Sequence, residues 1–186
     1  MQGKTPIAKR KSIKAKSKPQ QVSKMSYSRV NSSTRALIVN DKIFASGTFK
    51  DVWKGVYTNG PRKGEPCVAK EFKTGSVFEE HYFQEELSIV ERTQRIIDDF
   101  AAAKVLENGR IFLNTPEIWT FDGTNEKCLT EPMIENFEKF NSNTGWAPVT
   151  GTAWGEAMQA LSHFSYHDSN RQFLLCDIQG GSYRDG

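Results

Sequence analysis

The pattern of hydrophobic and polar positions changes near residue 36 and divides the chain into two parts. Residues 1–35 contain few large apolar side chains, whereas residues 36–186 alternate short apolar runs with turn residues. A segment that can bury so little apolar surface cannot offset the entropy of ordering its chain. The pattern therefore predicts a disordered tail over residues 1–35 and one folded domain over residues 36–186.

The folded part begins with short strands. KIFASGTFKDVWKGVY predicts two strands around Gly47 and Asp51, and PCVAKEF predicts a third after a turn from Asn59 to Gly64. Glycine and Asn-Gly separators between apolar runs are typical of hairpins. A helical spacing of apolar residues follows from about Val77 to Leu106, with Gly109 as the expected C-cap.

The second half of the pattern predicts further strands around one more helix. RIFLNTPEIWTFD, EKCLTEPMI and RQFLLCDIQ are strand-like, and GTAWGEAMQALSHFSYHD is helical, with Thr152 as a candidate N-cap. Strands that come in runs, separated by long helices, are typical of α+β domains. The order therefore predicts an antiparallel sheet beside one long helix.

The charges reinforce this division. Met1–Asn40 contain ten basic residues and no acidic one, although the 186-residue chain has a net charge of only +3. Three interpretations of the basic tail stay open: a solvated segment without a specific partner, a docking or nuclear-localisation segment centred on KRKSIKAKSK, and a nucleic-acid contact. Specific nucleic-acid binding is the least favoured, because no aromatic residues interleave with the charges.

The composition excludes several classes of protein. No apolar run approaches the ~20 residues of a membrane span, and no basic-then-apolar signal peptide opens the chain. The three cysteines, Cys67, Cys128 and Cys176, all lie in apolar, strand-like segments. Buried thiols of this kind are typical of a reducing compartment. The sequence therefore predicts an intracellular protein without a membrane partner, located in the cytoplasm or, through its tail, in the nucleus.

Two lysines near the start of the domain are candidates for binding an anion. Gly47 and Lys50 lie at a hairpin that is either an ordinary turn or a lid over phosphates. Strand alternation places Lys70 on the same face as Val68, where a lysine needs an anionic partner unless it lies at a solvated edge. That partner is either a ligand phosphate or a carboxylate of the long helix. The helix offers Glu79, Glu80, Glu85 and Glu86.

Polar residues near the C-terminus are candidates for catalysis. Asp177 and Gln179 fall on one side of the last apolar run, where Asp can accept a proton and Gln can offer a carbonyl to a metal. A structural turn is the alternative. Lys139 and Asn143, four residues apart, would share a face if their segment were a helical turn. His163 has only His167 nearby as a metal-ligand partner, and two histidines alone are more often structural.

The order of these short motifs is more specific than any one of them. G-x-F-K, V-A-K, E-P-M, K-F-x-x-N-x-G, S-H-F and C-D-x-Q-G occur in succession from about Phe44 to Gly181. This order and spacing resembles the alpha-kinase family of atypical protein Ser/Thr kinases. The resemblance implies a two-lobed, protein-kinase-like fold with ATP and Mg²⁺ as cofactors and a protein Ser/Thr hydroxyl as acceptor.

The resemblance also implies a role for each matching residue. Lys70 resembles the lysine that binds the ATP phosphates, and Lys50 stands in the phosphate-covering hairpin. Asp177 resembles the catalytic Asp, and Gln179 resembles a Mg²⁺ ligand. The other implied cleft residues, at the adenine hinge and near the ribose and phosphates, are Glu131, Met133, Lys139 and Asn143.

The family pattern continues beyond the end of this sequence. The resemblance implies a second metal-binding Asp and a zinc site of two His and two Cys, of which His163 matches the first His. We therefore expect an incomplete C-terminal lobe and little or no activity from this chain alone. A fragment of a longer kinase, a nucleotide-binding pseudokinase and a chain completed by a partner are the three outcomes left open.

Overall fold

The computed structural model describes residues 24–73, 79–148 and 151–184, and its largest element is an antiparallel sheet of seven strands. These strands are β1 (Met25–Asn31), β2 (Thr34–Val39), β3 (Ala45–Ser46), β4 (Lys50–Tyr57), β5 (Pro66–Phe72), β6 (Glu117–Phe121) and β7 (Lys127–Pro132). A separate two-stranded ladder joins β8 (Phe137–Lys139) to β9 (Gln179–Gly181). The helices are α1 (Glu79–Ala102) and α2 (Ala153–Asp168).

The large sheet closes on itself. Its strand order is β2-β1-β6-β7-β5-β4-β3, and β2 also pairs with β4. Six strands therefore form a ring, and β3 adds to the end of β4. Closure leaves few unpaired strand edges, which would otherwise invite pairing with another chain.

The interior of this ring is filled by small and aromatic side chains. Cys67 and Ala69 of β5 face inward with Cys128 of β7 and the fully buried Trp119 of β6. Gly55 of β4 belongs to the same layer, because a Cβ there would lie 2.5 Å from the Ile38 side chain. The close packing of the ring thus depends on residues with little or no side chain at its narrowest points.

Helix α1 packs on two different parts of the molecule. Near its N-terminus, the rings of Tyr82 and Phe83 contact Phe72 of β5, with centroids 5.3 and 5.2 Å away. Near its C-terminus, Phe100 makes an edge contact with Phe164 of α2 at 5.3 Å. One helix therefore links the sheet to α2.

The β8–β9 ladder is attached to the helix pair through apolar residues. Phe140, which follows β8, is buried in a cluster with Phe100 of α1 and Leu161 of α2. Ile178, which precedes β9, packs against the same cluster. The ladder thus lies on the core formed by α1 and α2.

The α+β class and the antiparallel sheet beside one long helix are confirmed. Strand β5 matches the predicted segment PCVAKEF, and β4, β6 and β7 lie within their predicted segments. Helix α2 begins after Thr152, whose side chain accepts a hydrogen bond from the Gly155 amide at 2.9 Å, as its position at the N-cap predicts.

The predicted boundary of the tail was wrong. Strand β1 and the first residues of β2 lie within residues 1–35, and they pair in register from Met25 with Val39 to Asn31 with Thr34. Backbone hydrogen bonds stabilise this hairpin although the side chains of β1 are mostly exposed, so the sparse apolar pattern concealed it. The rest of the predicted tail, residues 1–23, lies outside the described residues.

The predicted end of the long helix was also wrong. Helix α1 ends at Ala102, and Lys104 takes a left-handed conformation with φ 53°. Gly109 is therefore not its C-cap; a Cβ at this position would meet the ring of Trp154 at 2.9 Å. The predicted start at Val77 lies outside the described residues.

The segment RQFLLCDIQ does not form the predicted strand. Only its last residue belongs to β9, while Asn170, Arg171 and Asp177 have positive φ angles. Leu174 is 58% exposed, so the apolar run is not a buried strand. Left-handed residues interrupt the extended conformation that a strand requires.

The cysteines differ in environment. All three are free; Cys67 and Cys128 are buried as predicted, whereas Cys176 is exposed. Burial raises the pKa of the Cys67 and Cys128 thiols to about 12.

Neither helix in the described ranges 24–73, 79–148 and 151–184 has the length and apolar character needed to cross a bilayer.

Candidate functional site

The outer face of β4 and β5 carries two lysines, and we call this surface the lysine face. The register pairs Lys50 with Phe72 and Val52 with Lys70. Directly paired residues point to the same side of a sheet, so both lysines project from one face as diagonal neighbours, roughly 7–8 Å apart. Ala69, the residue before Lys70 in β5, faces the ring interior instead. Strand alternation therefore places two cations side by side.

Lys70 is held by a carboxylate of the neighbouring strand. Its Nζ lies 2.6 Å from Oε1 of Glu131 on β7, and the exposed fractions of the two side chains are 29% and 13%. The prediction that Lys70 needs an anionic partner is confirmed, but the partner is not a carboxylate of α1. Glu131 is opposite Val68 in the β5–β7 register, which puts it on the lysine face.

The carboxylate of α1 reaches the other lysine. Glu86 forms an ion pair with Lys50, whose ammonium also lies 5.0 Å from the Phe72 ring. The sequence offered Glu86 as a partner for Lys70, whereas the packing of α1 against Phe72 brings it to Lys50. Both lysines are therefore already paired with carboxylates.

The hairpin between β3 and β4 is tightly bonded at its tip. The Gly47 amide donates to the Lys50 carbonyl at 2.9 Å, and Lys73 donates to the Gly47 carbonyl at 2.6 Å. The Gly47 amide is therefore engaged within the hairpin, which is compatible with an ordinary turn, and the lid over phosphates stays a prediction. Lys50 points toward α1, while Phe49 at the tip is 71% exposed.

The predicted hinge follows β7. The Met133 amide donates to the Pro66 carbonyl at 3.0 Å and so continues the pairing of β5 with β7. This N–H group is engaged within the protein, and the Asn114 side chain likewise donates to the Pro132 carbonyl at 3.0 Å. The hinge backbone is thus well ordered by its neighbours.

A second group of polar side chains lies on the β8–β9 ladder. Lys139 is opposite Gln179 in the register, and its Nζ lies 2.6 Å from Oδ1 of Asp177. Their side chains are 40% and 48% exposed. The structure therefore brings together three of the predicted site residues, Lys139 of β8, Gln179 of β9 and Asp177 just before β9.

Asp177 has an unusual backbone. Its φ is 60°, in the left-handed region that residues other than Gly, Asn and Asp seldom adopt. Such conformations cost about 1–3 kcal/mol, persist where surrounding contacts determine them, and cluster at functional sites. The conformation turns the Asp177 side chain outward while Ile178 packs inward.

Asn143 does not share a helical face with Lys139. Lys139 belongs to β8, and Asn143 is exposed in the loop that follows. The Ser142 side chain accepts hydrogen bonds from the Thr144 and Trp146 amides, which makes this loop a compact turn. The helical turn that the predicted pairing required is absent because β8 is extended.

Sequence reasoning missed Asn141, which is 6% exposed. Its side chain accepts a hydrogen bond from the Ile178 amide at 2.8 Å. A polar residue directly after the buried Phe140 was the available signal, since buried amides almost always have hydrogen-bond partners.

The side chains suit Mg²⁺ better than zinc. Asp177 and Gln179 offer one exposed carboxylate and one exposed amide, which is a suitable donor set for an ion that takes most of its ligands from water and phosphates. His163 and His167 are exposed, with ring centroids 4.6 Å apart. Within the described ranges, no three His, Cys, Asp or Glu side chains form a group that could hold a metal.

The comparison with known families agrees with this arrangement. The model of the alpha-kinase family matches residues 45–185. The chain belongs to the alpha-kinase family. The match includes the lysine face and the β8–β9 ladder of this alpha-kinase domain.

Curated relatives match over a shorter segment. Myosin heavy chain kinase B of Dictyostelium discoideum is 39% identical over 54 residues, which are 28% of this chain and 7% of that protein. Myosin heavy chain kinase C of the same organism is 41% identical over 54 residues, which are 28% and 6% of the two chains. This alpha-kinase chain therefore matches only a small part of the length of these relatives.

Solved structures extend the likeness to the fold. The alpha-kinase domain of myosin-II heavy chain kinase A superposes with a TM-score of 0.56 at 19% identity, covering 88% of this chain and 80% of that one. Its inactive variant in complex with ATP gives 0.59 at 19% identity, with coverages of 85% and 80%. An alpha kinase from Entamoeba histolytica gives 0.62 at 18% identity, with coverages of 81% and 61%. The two-lobed, kinase-like fold class is thereby confirmed.

Proposed function

We propose that this alpha-kinase chain binds ATP and transfers its γ-phosphate to Ser or Thr hydroxyls of a protein. The observation that carries the proposal is the pair of lysines on one sheet face, within a family match that spans both groups of polar residues. Support for the nucleotide comes from the structural neighbour in complex with ATP.

The lysine face supplies the phosphate contacts in this proposal. Lys70 and Lys50 are ordered by Glu131 and Glu86, so their ammonium groups need little rearrangement to meet phosphate oxygens. Positioned cations are the main source of catalysis in phosphoryl transfer, since they neutralise the charge that develops on the transferred group. Met133 and the backbone of Glu131 meet the adenine.

Asp177 receives the proton of the acceptor hydroxyl. One carboxylate oxygen is paired with Lys139, which leaves the other oxygen to the hydroxyl. The hydroxyl oxygen bonds to the γ-phosphorus while the bond from that phosphorus to the β–γ bridging oxygen breaks, and ADP leaves. Lys139, the partner of this carboxylate, and Asn143, in the loop after β8, are the proposed contacts to the ribose and phosphates.

Gln179 would hold Mg²⁺ through its side-chain carbonyl oxygen. The ion, when bound, neutralises charge on the phosphates. The chain's own contribution is to hold the exposed amide of Gln179, at the start of β9, two residues from the exposed carboxylate of Asp177.

The relatives suggest a first substrate to test. Two of them are named myosin heavy chain kinases. We therefore expect the purified chain, supplied with Mg²⁺ and γ-labelled ATP, to label a myosin heavy chain tail fragment on Ser or Thr. Lys70→Met and Asp177→Ala variants serve as controls, and absence of labelling above their level would refute the proposed transfer.

A second candidate function is nucleotide binding without turnover. The observation that favours it is the Lys139–Asp177 ion pair, which occupies one oxygen of the carboxylate and favours its charged form over the protonated one. This function predicts a rise in melting temperature with Mg²⁺ and ATP, as for any ligand that binds the native state, without labelled product. Measuring both quantities on one sample separates the two candidates.

A further inference from the structure

The carboxamide of Asn141 is the side chain that fixes the segment between Asp177 and Gln179. Asn141 is 6% exposed, and its Oδ1 accepts a hydrogen bond from the Ile178 amide at 2.8 Å. Ile178 is the single residue between the two proposed catalytic and metal-binding residues. A contact to its backbone therefore acts on both of them.

The backbone of Ile178 is bonded on both sides. Its carbonyl accepts from the Phe140 amide at 2.9 Å and from the Asn141 amide at 3.3 Å. The Asn141 side chain adds the bond to the Ile178 N–H. The N–H and the carbonyl of Ile178 are thus both hydrogen-bonded to the two residues that follow β8.

Helix α2 supports Asn141 in turn. Gln159 donates through Nε2 to the Phe140 carbonyl at 2.7 Å, and its Oε1 accepts from Nδ2 of Asn141 at 3.5 Å. These contacts orient the carboxamide so that its oxygen faces Ile178. The chain of contacts runs from α2, through Asn141, to the segment that carries Asp177.

The conformation of Asp177 needs such a constraint. A left-handed residue other than Gly tends to relax unless its neighbours prevent it. With Ile178 anchored, its side chain stays in the apolar cluster while Asp177 and Gln179 point outward. Loss of the anchor would let the carboxylate move relative to Lys139.

We propose that Asn141 is a positioning residue for phosphoryl transfer, acting through the Ile178 amide on Asp177 and Gln179. The proposal rests on the proposed kinase function for its catalytic consequence. Misplacement of a reacting group by about 1 Å can cost about 100-fold in rate. Asn141 is almost fully buried and in this proposal acts only through Ile178, so its removal should lower kcat rather than raise KM for ATP.

Two variants of Asn141 separate the hydrogen bond from side-chain size. Asn141→Leu keeps a similar volume but removes the acceptor oxygen, whereas Asn141→Asp keeps an acceptor. Gln159→Leu removes the support from α2. Gln94→Leu is the matched control, because Gln94 is exposed on α1 and bonds only to the neighbouring turn at Asp98 among the described contacts.

The first measurement is hydrogen exchange of the Ile178 amide, which needs no activity. Removal of this hydrogen bond should accelerate exchange by about two- to tenfold in Asn141→Leu. Exchange in Asn141→Asp and Gln94→Leu should stay near the wild-type rate. Unchanged exchange in Asn141→Leu would overturn the proposal.

The second measurement is the kinetics of transfer. We expect Asn141→Leu to lose about 100-fold in kcat with little change in KM for ATP, and Asn141→Asp to recover part of the loss. A rise in KM alone, or equal losses in the Leu and Asp variants, would overturn the positioning role. If the wild-type chain transfers no phosphate, the proposed kinase function is refuted. The hydrogen exchange of the Ile178 amide then decides by itself whether Asn141 fixes this segment.

A folding defect in Asn141→Leu, detected by circular dichroism, leaves the test to Gln159→Leu. Gln159→Leu should also accelerate exchange of the Ile178 amide and lower kcat, both by smaller factors than Asn141→Leu. Wild-type exchange and kinetics in Gln159→Leu would contradict the chain of contacts from α2.

Discussion

The lysine face and the β8–β9 ladder hold their functional side chains by different means. Strands β4 and β5 pair over seven positions within a closed ring, and the Lys70–Glu131 pair there is mostly buried. The ladder has only three paired positions, and its Lys139–Asp177 pair is about half exposed. The proposed phosphate-binding side is therefore built on a closed sheet, whereas the proposed catalytic carboxylate depends on a few specific hydrogen bonds.

The largest expected effect is at the ladder. Asp177→Asn keeps the shape of the side chain, and Asn tolerates the left-handed backbone, so the fold should remain. Loss of a catalytic base should reduce kcat by about 10²–10⁴-fold. Nucleotide affinity, measured by calorimetry, should change little; a large loss of affinity would mean that Asp177 acts mainly in binding.

The corresponding change on the lysine face should reduce both binding and transfer. Lys70→Met removes a positioned cation and leaves Glu131 without its partner, so we expect a loss of about 10²–10³-fold in kcat/KM. Lys70→Met combined with Glu131→Gln removes the unpaired carboxylate and should restore stability but not activity. Activity equal to wild type in the single variant would exclude Lys70 from the phosphate site.

Substituting one glycine in the ring and one in the β8–β9 ladder would compare the rigidity of the two regions. A Cβ at Gly55 would lie 2.5 Å from Ile38 and 2.8 Å from the Leu37 carbonyl, and one at Gly181 would lie 2.8 Å from Ile134 and 3.1 Å from the Asn136 carbonyl. Overpacking costs about 1–3 kcal/mol.

We expect Gly55→Ala to lower the urea midpoint of the whole domain, because the ring unfolds as one unit. Gly181→Ala should mainly accelerate hydrogen exchange within the ladder. Gly47→Ala is the stability control, since the nearest atom to its Cβ would be 3.7 Å away. Equal global destabilisation by both substitutions would show that the ladder and ring unfold together.

The smallest effect concerns the thiols and leaves stability unchanged. At pH 8, iodoacetamide should label Cys176 in the native protein, because that residue is exposed. Cys67 and Cys128 should stay unlabelled until urea is added, since burial raises their pKa values to about 12 and blocks access. Labelled sites are read by peptide mass spectrometry. Native labelling at Cys67 would mean that the ring opens readily.

The sequence predicted those strands whose residues carry a clear alternation of buried and exposed side chains. Strand β5 was predicted with its correct limits because Cys67, Ala69 and Lys70 follow the alternation that a sheet imposes. Strand β1 was missed because seven residues with one buried side chain, Ser28, carry almost no apolar pattern. Its place depends on backbone pairing with β2 and β6, which a local pattern does not report.

The candidate site divides in a similar way. Lys70, Lys139, Asp177 and Gln179 were recognised from short motifs, but the partners of these residues were not. Glu86 was assigned to the wrong lysine, since the rotation of α1 about its axis is set by tertiary packing. Asn141 was overlooked because its hydrogen bond spans 37 positions of sequence.

The ion pairs of the lysines affect the affinity with which a phosphate ligand would bind. Lys50, Lys70 and Lys139 each already contact a carboxylate. Their side-chain freedom is restricted during folding, so this entropy is not lost again on association. A phosphate that binds these lysines would therefore replace their carboxylate partners. Its affinity would reflect the difference between the lysine–phosphate and the lysine–carboxylate contacts. The positive charges of these three lysines are thus already balanced by carboxylates before any ligand binds.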